Sequence, residues 1–255
     1  MLIIANGASK SGSTWLYNIL KSMTGYSPPP QKYLNTDWIN PSIHPDKLAD
    51  LLVELDYHSK NYLVKNHFAN GAQRDLLLGS NDTYIFDIKR KLSDVVVSAY
   101  HHKINKDGFN RPFPFYYWQY GRNVAIRVRD YHQIWKSEIY LGNRVYISSF
   151  KLLKEDFESE CRRIGNFLDM KLSNDDIKII KEKTTISSLR EKYDNKGFFR
   201  KGGTDYKQEY MSRLMEKDID KIKMGKYSLN TLLHKICEGS RSIFLGSIDY
   251  LINQG

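Results

Sequence analysis

Residues 7–15 read GASKSGSTW, and they follow the apolar run LIIA of residues 2–5. A short apolar run that ends in Asn6-Gly7 reads as a buried strand entering a loop. Beyond the loop, Trp15, Leu16, Ile19, Leu20 and Met23 recur at helical spacing. Strand, glycine loop and helix together make an anion site, because the first N–H groups of a helix lack intrahelical partners and the helix dipole favours negative charge. Gly7 and Gly12 have the spacing of the Walker A loop, G-x-x-x-x-G-K-[ST], but Ser13 stands in the lysine position and the only lysine, Lys10, lies inside the loop. A Walker lysine reaches the β and γ phosphates of a nucleoside triphosphate. Lys10, three residues earlier, is placed for a different and shorter anion. Gly12 lets the backbone approach a ligand closely. Ser13 and Thr14 are expected to cap the helix or to donate hydroxyls to a phosphate oxygen. Taken alone, the stretch is also compatible with an ordinary capped strand–turn–helix.

Working outward, residues 62–65, 83–88 and 143–148 read as further strands. Helices are expected over 46–57, with Leu48, Leu51, Leu52 and Leu55 in a stripe, over 92–104, and over 156–168. Ser173 followed by Asn174-Asp175-Asp176 reads as another helix start. Strands alternating with helices predict an α/β fold with a mainly parallel sheet covered on both faces. No repeat or linker divides the chain, so residues 1–255 are expected to form one domain. Residues 105–122, dense in aromatics, Pro and Gly, and residues 195–206, basic and glycine-rich, read as loops.

The 255 residues are 41% hydrophobic, enough for a substantial core. No apolar run approaches ~18 residues, so no membrane span is expected, and the N-terminus reads as a strand rather than a signal peptide. Two cysteines, Cys161 and Cys237, suit a reducing compartment and hence a cytoplasmic protein. Cys161 lies in a helical apolar stripe and is expected in the core. The net charge of +10 favours anionic partners. The lysines are spread along the chain instead of gathered in a basic tail, so general nucleic-acid binding is not expected.

Residues 9–15, SKSGSTW, resemble the P-K-S-G-T-T-W loop of cytosolic-type sulfotransferases, with Ser9 in place of the proline. These enzymes use 3′-phosphoadenosine-5′-phosphosulfate (PAPS) on a P-loop-like domain. The resemblance thus implies a three-layer α/β/α architecture in which Lys10, Ser11, Gly12, Ser13, Thr14 and Trp15 hold the 5′-phosphosulfate. Lys10 would contact the phosphosulfate bridge, Ser13 and Thr14 the 5′-phosphate, and Trp15 the adenine, although Trp15 also fits a core position on its helix. Residues 90–98, RKLSDVVVS, are similar to the family's R-N-x-x-D-V-x-V-S, which binds the 3′-phosphate. Arg90 offers a planar fork for a phosphate and Ser98 a hydroxyl. Residues 198–207, FFRKGGTDYK, resemble the late R-K-G-x-x-G-D-W-K segment through Arg200, Lys201 and Gly202, though the second half is one residue short. Phe150 stands near the family's adenine-contacting tyrosine, and Ser187 near a Thr/Ser of similar role.

Lys65-Asn66-His67 resembles the family's K-T-H segment, whose histidine is the catalytic base. Imidazole suits that task because its ordinary pKa lies near working pH. His101 and His102 read as helix surface. The implied reaction is in-line transfer of the sulfuryl group to a hydroxyl acceptor, with His67 as base and with Lys10 and Lys65 neutralising the departing phosphate. No metal is demanded. The acceptor is expected to be a small molecule or a saccharide, with residues 105–140 shaping its pocket and Phe113, Phe115, Tyr116, Tyr117 and Trp118 lining it. Two other readings compete. A P-loop kinase would need the missing lysine and an acid such as Asp87 for magnesium. A nucleic-acid-binding protein would use the charge and the aromatic stretch 109–120.

Overall fold

The computed structural model describes residues 1–35, 40–57, 60–136, 144–193 and 207–226. The chain opens with strand β1 (Leu2–Gly7) and helix α1 (Ser13–Thr24), then α2 (Leu48–Tyr57), β2 (Tyr62–Lys65), α3 (Gly71–Gly79), β3 (Thr83–Lys89) and α4 (Leu92–Asp107). It continues through α5 (Phe113–Tyr116), α6 (Arg122–Ile134), β4 (Val145–Ser149), α7 (Phe150–Glu155), α8 (Phe157–Phe167), α9 (Asn174–Lys183), α10 (Ile186–Tyr193), α11 (Lys207–Tyr210) and α12 (Arg213–Lys223). The strands pair in the order β2-β1-β3-β4, and every pairing is parallel.

β1 is buried along its whole length, as its unbroken apolar run requires of an inner strand in a parallel sheet. Side chains alternate across a strand, so Leu2 and Ile4 enter one core with α2, α4, α6 and α12, while Ile3 and Ala5 enter the other with α1, α7, α8 and α9. Each fully buried Leu or Ile contributes about 2 kcal/mol of hydrophobic stabilisation, and the strand carries such residues on both faces. Cys161 is buried in the second core. The layering is the expected helix–sheet–helix arrangement. Because all four strands run the same way, their carboxyl ends, Gly7, Lys65, Lys89 and Ser149, lie along one edge.

That edge is fixed by buried polar bonds. Asn66 clamps the backbone of Ile43, accepting from its N–H at 3.1 Å and donating to its carbonyl at 3.2 Å. Asn6 Oδ1 accepts from the Phe68 N–H at 3.0 Å, and Trp135 Nε1 donates to the Phe68 carbonyl at 2.7 Å. The segment after β2 is therefore stapled across the end of β1. Asp87, fully buried two residues before the end of β3, accepts from the Tyr131 hydroxyl at 2.6 Å.

The expected loop over 105–122 is not a loop. Residues 105–107 complete α4, and after a short break Phe113–Tyr116 begin a helix that runs through a π-helical turn, Tyr117–Gly121, into α6. The aromatics misled because they serve the core: Phe113, Tyr116 and Tyr117 are buried against Tyr100 and Tyr210, with the Tyr117 hydroxyl donating to Asp218 of α12 at 2.9 Å. Gly121 is required at the turn because a Cβ there would lie 2.9 Å from Val96.

Burial pushes the Asp87 carboxyl up to about 6, against the Tyr131 bond, which favours the ionised form. A carboxyl raised in the fold binds more protons than in the unfolded chain, so this group's contribution falls as pH rises from about 4 to 6. Tyr131→Phe should destabilise by about 1–3 kcal/mol at pH 7.5 and by less at pH 5, where Asp87 is neutral. Urea titrations at the two pH values measure this, and equal losses would remove the Asp87 charge from the account.

Candidate active site

The loop between β1 and α1 carries an unusual backbone. Lys10 is held at φ 68° and Gly12 at φ 109°. Lysine rarely adopts this left-handed conformation, which costs about 1–3 kcal/mol and persists only where surroundings impose it. Here the Ser11 hydroxyl and N–H both bond the Ala8 carbonyl, at 2.6 and 3.1 Å. Arg90 Nη1 donates to the Lys10 carbonyl at 3.3 Å from the end of the neighbouring strand β3. Gly12 has no room for a side chain, since a Cβ would lie 2.6 Å from Phe150.

The expected serine or threonine cap on α1 is absent: Gly12 occupies the cap position with no side-chain hydrogen bond. Ser13 and Thr14 are buried in the first turn. The helix therefore starts without a side-chain oxygen on its first N–H groups, which favours an external anion there.

Two lysines and Arg90 converge on this loop, with a neutral histidine beside them. Lys65, at the end of β2 and only 6% exposed, has its ammonium pKa pushed down to about 8 by burial. Lys10 is pushed down to about 8 by burial, then by the charges of Lys65 and Arg90. His67 lies beside them, with Nε2 3.1 Å from Lys65 Nζ. Its Nδ1 faces the Gly7 carbonyl within hydrogen-bond reach. A carbonyl only accepts, so Nδ1 carries the hydrogen and Nε2 the lone pair. Burial, then Lys65, lower the imidazole to about 4, so the ring is neutral at physiological pH with its basic nitrogen turned toward the lysine.

Arg90 extends the site from the end of β3. Its guanidinium lies 4.1 Å over the Phe150 ring. Ser98 is half-buried on α4. Trp15 is half-buried and packs against Phe150 and Phe157, centroids 5.4 and 6.2 Å apart, so it borders the apolar core while flanking the loop. Ser187 is exposed at the start of α10, where its hydroxyl bonds Thr185 Oγ1 at 2.9 Å. Arg200, Lys201 and Gly202 lie outside the described residues.

The structure thus brings Lys10, Ser11, Gly12, Ser13, Thr14, Trp15, Lys65, His67 and Arg90 to one edge. Sequence reasoning missed the Gly7 carbonyl, which sets the histidine tautomer, and the Asn6 and Asn66 clamps. A polar residue at the end of each apolar strand was the available signal. His101 and His102 are half-buried rather than simple surface, and His101 Nε2 lies 3.1 Å from the Tyr210 hydroxyl. Of the expected acceptor wall, Phe113, Tyr116 and Tyr117 are core, while Phe115 and Trp118 are exposed. Asp87, the acid a kinase would need, is sealed away and bonded to Tyr131.

Residues 2–231 match the family model described as Sulfotransferase domain. The chain belongs to the sulfotransferase family. No curated protein sequence matches it. Among solved structures it is similar to mouse sulfotransferase SULT7A1 complexed with PAP, at 15% identity and a TM-score of 0.68, covering 94% of this chain and 88% of that one. It is also similar to retinol dehydratase in complex with androsterone and inactive cofactor PAP, at 16% identity and a TM-score of 0.66, covering 88% and 80%. At these identities the likeness is one of fold, and it agrees with the three-layer parallel architecture. Among the described residues no helix is long and apolar enough to cross a membrane.

The Lys65 charge is the second cause, after burial, holding His67 down at about 4. Lys65→Met should raise the His67 pKa toward the ordinary histidine range. NMR titration of the ring C–H signals reads this directly, and an unmoved pKa would show that Lys65 does not act on the imidazole.

Proposed function

We propose that this chain transfers the sulfuryl group of PAPS to a hydroxyl acceptor by in-line displacement, with His67 as base. The observation that carries the reading is the meeting of Lys10, Lys65 and the lone-pair nitrogen of His67 beside the capless start of α1, with Arg90 bonded to the same loop. One end of this arrangement suits a phosphosulfate and the other a second phosphate, as PAPS requires.

The site's chemistry fits such a donor. Lys10 and Lys65 are cations whose burial disfavours charge, and an anion between them offsets that cost. Ser11 and Gly12 present the loop backbone, and Ser13 and Thr14 their hydroxyls, to the 5′ end, with Trp15 beside the adenine. Arg90 and Ser98 take the 3′-phosphate. Ser187 and the Arg200-Lys201-Gly202 segment complete the nucleotide site in this reading. When bound, PAPS supplies the sulfuryl group. His67 Nε2 takes the proton of the acceptor hydroxyl as its oxygen bonds sulfur and the bridging S–O bond breaks. Lys10, Lys65 and the α1 N-terminus neutralise the charge that develops on the leaving 5′-phosphate, so the reading calls for no metal. The product is adenosine 3′,5′-bisphosphate (PAP).

Solved neighbours in this fold hold PAP, and one also holds androsterone, which supports the donor and a hydroxylated small-molecule acceptor; a saccharide acceptor remains within the same reading. The protein acts in the cytoplasm on this account, without nucleic acid. A neutral His67 also explains why the base is ready at physiological pH.

His67→Ala should lower kcat by about 10²–10⁴-fold while PAP affinity stays nearly intact. Unchanged turnover would remove His67 from the base role. Arg90→Ala should weaken PAP far more than 5′-AMP in calorimetry, and equal losses would argue against a 3′-phosphate site.

A further inference from the structure

The resemblance places an adenine contact near Phe150, but the ring's surroundings give it another task. Phe150 is the first residue of α7, immediately after Ser149, whose hydroxyl accepts from the Leu152 N–H at 3.1 Å and fixes the start of that helix. Only 7% of Phe150 is exposed. One face of its ring carries the Arg90 guanidinium at 4.1 Å. Trp15 meets it edge-on at 5.4 Å and 67°. The ring also lies against the backbone of Gly12, close enough that a Cβ there would collide at 2.6 Å. Arg90 in turn reaches the Lys10 carbonyl.

We propose that Phe150, wedged between the Gly12 backbone and the Arg90 guanidinium, is a positioning residue that aims Arg90 at the 3′-phosphate, and is not a contact for the adenine ring. The inference rests on the reading of Arg90 as a 3′-phosphate ligand. Arginine has a long side chain with much rotamer freedom, and a phosphate fork is selective only when its plane is held. A flat aromatic face supplies that plane by cation–π attraction. The bond from Arg90 to the Lys10 carbonyl fixes the fork from a second side. Phe150 therefore couples the two ends of the nucleotide site: the same ring that excludes a side chain at position 12 orients the arginine contributed by the neighbouring strand.

The test is calorimetric binding of PAP and of 5′-AMP to the full chain and to Phe150→Leu, Phe150→Tyr, Arg90→Ala and the Arg90→Ala/Phe150→Leu double variant. Leucine keeps an apolar filler but no ring face. The proposal predicts PAP weakened by about tenfold in Phe150→Leu, with 5′-AMP changed less than about twofold and kcat at saturating donor little altered. Phe150→Tyr, which keeps the ring, should retain the parent ratio of the two affinities. The leucine change should add nothing to PAP loss once Arg90 is gone. Should Phe150→Leu not fold, Phe150→Met is the ring-free variant measured in its place. Equal losses for the two nucleotides would make the ring an adenine or loop contact and overturn the proposal, as would full additivity with Arg90→Ala. If Arg90→Ala itself leaves the PAP to 5′-AMP ratio unchanged, the 3′-phosphate reading fails. If Arg90→Ala collapses that ratio and Phe150→Leu spares it, only the present inference fails.

Discussion

The structure is organised around cations placed where they are uncomfortable. Lys10 and Lys65 sit in surroundings that lower each ammonium to about 8. One pKa unit is about 1.4 kcal/mol, so keeping each charged at neutral pH costs about 3 kcal/mol. A fold tolerates such a cost only if the rest of the molecule over-determines the site. Here β1 is buried on both faces, its neighbours run parallel to it, and their ends are stapled by Asn6, Asn66 and Trp135. The backbone strain at Lys10 and the missing side chain at Gly12 belong to the same economy. The two together shape a loop that is complementary to an anion.

Placement of the histidine follows from the same scaffold. A neutral imidazole could present either nitrogen, and the Gly7 carbonyl decides the matter. Since Gly7 is also where the β1–α1 loop begins, one strand end sets the imidazole tautomer and positions the loop backbone together. The low pKa of His67 comes first from burial and then from its cationic neighbours, and an anion beside those cations would relieve the second part. In the proposed function, base strength is thereby coupled to occupancy of the donor site.

Much of this was legible in the sequence, for identifiable reasons. Strand β1 and the loop were readable because an apolar run that stops at Asn-Gly, followed by a helical stripe, has few other interpretations. β2 was found at its true limits, residues 62–65, because the charged and polar Lys65-Asn66-His67 punctuate it. The stretch 105–122 was misread because Pro, Gly and aromatics are local turn signals, whereas tertiary burial of Phe113, Tyr116 and Tyr117 decided the outcome. Of the two tasks the sequence offered Ser13 and Thr14, capping α1 falls away for a related reason: they suit capping intrinsically, but the left-handed Gly12 takes the cap position. The contacts of Phe150 with Gly12, Trp15 and Arg90 join three segments far apart in the chain and had no sequence signature.

The central claim is that a doubly phosphorylated nucleotide offsets the cost of the buried lysines. Proton uptake on PAP binding tests it most directly, measured by calorimetry at pH 9 in buffers of differing ionisation enthalpy. In the free protein both lysines are mostly neutral at that pH, since each titrates near 8. An anion between them raises both again, so the account predicts uptake of about one to two protons per nucleotide bound. Binding with no uptake, or with release, would contradict it.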